Sequence, residues 1–230
     1  MNEPDGGNFA RRAILGLLAG GAAAALGGCN PFFAHRSYRY RMTVVGDYPG
    51  SAVYEILAEH TRFVLLSEER PGGSLLKGDA LALETPTGPV FLLLRPVDNG
   101  ESLISSFTHA LAPDIPTGGH ENFWKAVGRL GGRFSGAKAD LPRADWPMMV
   151  RFHDTSDPRS VEQVAAQEAG VKRILLETTT DDVTIGIERK LAWLPRQTGT
   201  FVKRLSVPDP TNPPIAAILT RRDFSTQLAG

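Results

Sequence analysis

The densest group of chemistry-bearing side chains is His153-Asp154 with Asp157, an imidazole and two carboxylates within one short run. An acidic turn after a strand can hold a cation or orient a general base. The same Asp-x-x-Asp-Pro spacing suits a turn whose carboxylates accept backbone N–H groups, and on residue types alone that is the simpler reading. Thr178-Thr179-Thr180-Asp181-Asp182 could offer oxygens to a cation, or it could end a strand and supply the N-cap of a helix after it. His120-Glu121 heads a helical run, where a glutamate favours the positive end of the helix dipole without further role. His35, His60 and His109 complete the five histidines. None of the five pairs at the spacing of a helical metal site, so no metal and no cofactor is expected.

Familiar catalytic frames are missing. Pro71-Gly72-Gly73-Ser74 with Lys77-Gly78 has the residues of a phosphate-cradling loop in the wrong order. Gly128, Gly131 and Gly132 end a helix where a dinucleotide fingerprint would open one. No Gly-x-Ser-x-Gly elbow occurs. The only cysteine is Cys29; one thiol makes no internal disulfide and no zinc cluster. Tyr38 and Tyr40 alternate with Arg39 and Arg41 as in an edge or half-buried strand, and with Tyr48 they could also face a ligand or the membrane interface. Trp124, Trp146 and Trp193 suit core or rim packing.

The surroundings of Cys29 carry most information. Arg11-Arg12 is a positive n-region, Ala13 to Leu26 is an uncharged run of Ala, Gly, Leu and Ile, and small residues precede the cysteine. That order is that of a secretory signal. The apolar run is shorter than the roughly 20 residues of a membrane span. Leu26-Gly27-Gly28-Cys29 resembles the lipobox of bacterial lipoproteins. The resemblance implies a diacylglyceryl thioether on Cys29, cleavage before it and acylation of the new amino group. Ala10-Arg11-Arg12-Ala13-Ile14-Leu15 resembles the twin-arginine export signal. The general export route stays open beside it. Asn30 leaves inner and outer membrane open as destinations. Two or more acyl chains anchor stably, so the domain is expected on a membrane surface, on the periplasmic side of the cell envelope.

Three stretches are similar to a group of uncharacterised alphaproteobacterial proteins, often exported or lipid-anchored: Tyr38 to Val44, Pro147 to Asp154 with Asp157 to Val161, and Gly170 to Ile174 through Thr184 to Leu194. The resemblance implies grouping and no activity.

The chain has 230 residues, 42% hydrophobic and 22% charged, with Lys plus Arg equal to Asp plus Glu. Removing residues 1–28 takes away Glu3, Asp5, Arg11 and Arg12, so the balance persists. A neutral domain offers no broad lure for nucleic acid, and none is expected as a partner; local patches remain open. Three parts are expected: a signal over 1–28, a lipidated tether over 29–37, and a single globular domain over 38–230.

Alternation predicts a strand over Tyr38 to Val45, a turn through Gly46 to Gly50, and a return strand over Ala52 to Leu57. Phe63 to Leu66 reads as a brief strand and Glu68 to Gly73 as a polar loop. Asp79 to Glu84 and Val90 to Leu94 form the clearest hairpin. Leu103, Ile104, Phe107 and Leu111 recur at helical spacing before Pro113. A second helix spans about His120 to Leu130, with Phe123, Val127 and Leu130 inward and Gly131-Gly132 as its stop. Gly136 to Trp146 is irregular, and Pro147 to Phe152 is a strand. Ser160 to Gln167 reads as a short helix with Ser160 and Gln163 as a capping box. Val171 to Thr179 is a strand in a central position. Val183 to Leu191 reads as a short helix capped by Asp182, or as a strand. Phe201 to Leu205 and Ala216 to Leu219 have weak strand pattern. Strands, then helices, then strands favour an α+β fold, mostly antiparallel sheet with two to four short helices. The functional expectation is a membrane-anchored envelope lipoprotein acting as a binding or accessory module, with an envelope protein among its partners. The alternative is an envelope hydrolase or other enzyme with its site near His153, Asp154 and Asp157.

Overall fold

The computed structural model describes residues 33–63, 68–97, 102–132, 135–203 and 213–227. The signal residues Arg11, Arg12, Leu26, Gly27 and Gly28, and Cys29 itself, lie outside them, as does most of the strand expected at Phe63 to Leu66. The chain divides into two compact units, 1–34 with 61–70, and 35–60 with 71–230. Both helices and most of both sheets belong to the second, and three strands run across the division.

The fold is α+β, with two antiparallel sheets and two α-helices among the described residues. The first sheet has the order β3-β2-β1-β9-β6, built from β1 (Phe33–Gly46), β2 (Gly50–Phe63), β3 (Glu68–Lys77), β6 (Lys138–Asp140) and β9 (Val171–Thr179). The second has the order β4-β5-β7-β8, built from β4 (Leu81–Leu83), β5 (Val90–Pro96), β7 (Pro147–Phe152) and β8 (Val161–Gln163). Helices α1 (Leu103–Leu111) and α2 (His120–Leu130) follow β5 in the chain.

Period-two alternation makes β1. Tyr38, Tyr40, Met42 and Val44 are buried, while Arg39 and Arg41 reach the other side to meet Asp182 and Asp181. The strand begins at Phe33, so the expected tether through Ser37 is shorter than its sequence suggests. The apolar centre of β9, Ile174 to Leu176, does lie between two neighbours, with Ile174 opposite Val44 and Leu176 opposite Ala139.

Five expectations need correction, the first being Gly136 to Trp146, which is not irregular throughout, since Lys138–Asp140 pairs with β9. Glu68 to Gly73 is strand and not loop. Pro71 is tolerated because β3 is an edge strand, where a missing N–H can face away from the ladder. Ser160 does not open a helix: Val161 is buried and Val161–Gln163 pairs with β7, while the Ser160 hydroxyl donates to Asp157 O at 2.8 Å. Val183 to Leu191 is neither the expected short α-helix capped by Asp182 nor a strand; it runs irregularly into a 3-10 turn at Ile187–Arg189. Ala216 to Leu219 is a 3-10 turn with one bridge from Thr200 to Thr220. In these tail segments burial is met by turns laid on the second sheet, so backbone groups pair locally.

Phe91 and Leu93 of β5 share a face with Met148, Val150 and Phe152 of β7, and residues 187–203 and 213–224 pack across that face. Leu81 and Leu83 of β4 approach Gly50 at the start of β2, where a side chain would overlap Leu83.

Candidate ligand cleft

His153, Asp154 and Asp157 do not converge on a cavity. Asp154 Oδ1 accepts the Ser156 N–H at 2.8 Å, and Asp157 Oδ1 accepts the Arg159 N–H at 3.0 Å. The Arg159 guanidinium, hydrogen-bonded to Asp157, holds that carboxyl below its ordinary range. His153 is exposed and its Nε2 lies 2.9 Å from Glu162 Oε2. Arg151 also binds Glu162 and, ahead of His153, lowers the glutamate's pKa. Carboxylates here cap a turn, as the Asp-x-x-Asp-Pro spacing suggests.

The threonine-rich run is also accounted for. Thr178 Oγ1 accepts the Ala137 N–H at 3.0 Å and the Ser135 hydroxyl at 2.9 Å. Asp181 and Asp182 answer Arg41 and Arg39. Among the described residues no group of three or more His, Cys, Asp and Glu is placed to hold a metal ion. Tyr38 and Tyr40 face the interior, where Tyr38 Oη lies 2.9 Å from Thr108 Oγ1. Burial pushes both phenols up.

A cavity of 260 Å³ does open between α1 and α2. Its polar lining includes Ser105, Thr108, His109, Thr117, His120 and Asn122, and its apolar lining includes Ile115 and Phe123. The elements explain the opening. α1 starts at Ser102, whose hydroxyl accepts the Ile104 N–H, and it lays Phe107 edge-on against Tyr40 at 5.6 Å. α2 is drawn onto β1 by two glycines. A side chain at Gly131 would overlap the Ser37 carbonyl, and one at Gly128 would overlap Arg36. The Arg36 guanidinium sits 4.5 Å above the Trp124 ring and donates to its carbonyl at 3.2 Å. The helices are thus held by the sheet, and the link between them, through Gly118 and Gly119 at positive φ, walls the cavity.

His120, the first residue of α2, has its ring 5.2 Å from that of buried His60 and 6.4 Å from Trp124. Its Nε2 is buried without a hydrogen-bond partner among the described residues. Burial, and then the neighbouring His60, lower its pKa. At neutral pH the ring is therefore uncharged, with one donor and one acceptor nitrogen. Phe123, expected inward, is half-buried on the cavity wall, while Trp124 takes the inner position. The cleft was not legible in the sequence, because its donors come from two helices and the link between them.

A second residue with no sequence signal is Asp79. It is 3% exposed. Its Oδ2 accepts the N–H groups of Gly186 and Ile187 at 2.6 and 3.0 Å, and its Oδ1 accepts the Ser225 hydroxyl at 2.5 Å. It fastens the C-terminal segment to the β3–β4 connection, a structural duty. No known protein family matches the chain, and neither comparison with characterised proteins nor comparison with solved structures finds a match.

Proposed function

We propose that the chain is a lipoprotein of the cell envelope, anchored through acyl chains on Cys29, whose domain is a binding module with the α1–α2 cleft as its ligand site. The observation that carries the anchor is the place of the one cysteine in 230 residues, directly after Leu26-Gly27-Gly28 and a short apolar run led by Arg11-Arg12. The binding half rests on the cleft. It mixes hydroxyl, amide and imidazole groups with apolar walls, as small-molecule sites do, and 260 Å³, just below the roughly 300 Å³ at which such sites begin, suits only a small ligand. His153, Asp154 and Asp157 enter this reading as turn caps.

Cys29→Ser tests the anchor. Expressed with a radiolabelled fatty acid, the native chain takes up label and sediments with membranes; the variant carries no label and is recovered in the soluble fraction. Label on the variant overturns the anchor. Ser105→Trp tests the cleft, since an indole on α1 would fill it. After incubation with a small-molecule extract of envelopes, the native chain retains by mass spectrometry a species that the variant does not. Identical retention by both overturns the cleft.

A further inference from the structure

The charge balance of the whole chain hides a one-sided segment. Over 187–203 and 213–227 six basic residues, Arg189, Lys190, Arg196, Lys203, Arg221 and Arg222, stand against Glu188 and Asp223. This is also the segment that covers one face of the second sheet. Ile187, Leu191, Leu194, Phe201, Leu219 and Phe224 point inward to Phe91, Val150 and Phe152. A cover whose apolar residues face the sheet must carry its exposed residues on the outer side, and Arg189, Lys190, Arg196, Lys203 and Arg222 are all exposed.

Few acids answer them. Lys190 meets Glu84 across the cover edge, and Asp223 turns inward to Arg95 at 3.7 Å and to the Thr220 N–H at 2.7 Å. Arg189 donates to the carbonyls of Gly186 and Ile185, and Arg221 to that of Pro195 at 3.2 Å. Among the described residues no carboxylate lies within ion-pair distance of Arg189, Arg196, Lys203, Arg221 or Arg222. Ile185, beside Arg189, is 59% exposed, the most exposed large aliphatic side chain described. Trp193 is not part of that outer side: its ring packs on Phe152 and Phe201 and its indole N–H donates to the Thr155 carbonyl. Exposed cations, one of them beside an exposed aliphatic side chain, form a surface suited to anionic headgroups, where charge attracts and a small apolar group enters the interface.

The geometry points to this cover as the face that rests on an anionic lipid bilayer. The inference rests on the anchor proposed above. From Cys29 to His35 is six residues, a reach of about 20 Å, so a chain anchored at Cys29 holds its domain beside the bilayer. Weak headgroup contacts then act at high effective concentration.

The experiment uses the full chain in detergent, diluted onto vesicles of phosphatidylcholine alone or with phosphatidylglycerol. One variant neutralises the cover (Arg189→Gln, Arg196→Gln, Lys203→Gln, Arg222→Gln). A control removes equal charge elsewhere (Lys125→Gln, Lys138→Gln, Lys172→Gln, Arg173→Gln). The native chain is expected to bind anionic vesicles at least about tenfold more tightly than neutral ones, with the difference fading as salt rises. The cover variant loses the preference and the control keeps it. Equal binding of the native chain to both vesicles overturns the inference, as does equal loss in both variants. Retention on an acidic peptide or a nucleic acid column with no vesicle preference overturns it too. Acylation, read by mass on the same samples, separates the two readings. An unacylated chain that keeps the cover-dependent preference sinks the anchor alone, and an acylated chain without the preference sinks the bilayer face alone.

Discussion

Two buried polar residues stand in opposite situations. Asp79 is a carboxylate whose two oxygens take three donors from two distant segments. Hydrogen bonds to a buried charge contribute more than neutral ones, and a partner left unpaired costs its full desolvation. Asp79→Asn puts an amide N–H against the Gly186 and Ile187 donors or against Ser225. It is expected to lower unfolding free energy by about 3 kcal/mol, measured by urea denaturation. Tyr40 is the reverse case. Its ring is fully buried and stacked on Tyr54 at 5.4 Å, but its hydroxyl has no hydrogen-bond partner among the described residues. Tyr40→Phe keeps the ring and removes a costly group, so the melting temperature should rise, by about 1 kcal/mol in stability. A fall of that size would mean that the hydroxyl has a partner to lose.

The contact between α2 and β1 depends on missing side chains. Gly131 ends α2 with φ of −76°, an ordinary right-handed value, so conformational freedom is not why glycine stands there. The reason is the Ser37 carbonyl, which occupies the space of a Cβ. Gly131→Ala is therefore expected to cost about 1–3 kcal/mol as the helix backs away from the strand. The same shift would reshape the cleft, which shares α2. Loss of cleft ligand in parallel with stability would be the measured sign. An alanine tolerated without change would show that the helix can slide at no cost.

At the scale of the molecule, the C-terminal segment is the lid of the second core. It has short 3-10 turns and little ladder pairing, so its hold comes from buried side chains and from Asp79. Phe224 is fully buried, within 6.0 Å of Phe91 and 5.8 Å of Phe152 by ring centroids. Phe224→Ala should cost about 3–5 kcal/mol and speed proteolysis within the cover before the rest of the domain. Uniform cleavage across the chain would show that the cover and the sheets unfold together.

The sequence by itself determined the elements whose signal is local: β1 by alternation, the β4–β5 hairpin by Thr85 to Pro89, and both helices by period and stop residues. It also determined the turn-capping sense of Asp154 and Asp157, because a carboxylate and the N–H two residues on are neighbours in any such turn. Tertiary structure decided the rest. Pro71 reads as a loop until β3 is known to be an edge, and Val161 reads as helical until β7 offers it a partner. Asp79 looks ordinary until residues more than a hundred positions away bring it their N–H groups. The cleft and the basic cover likewise exist only once distant segments pack. Burial and charge balance are sums over neighbours in space, and chain order does not name those neighbours.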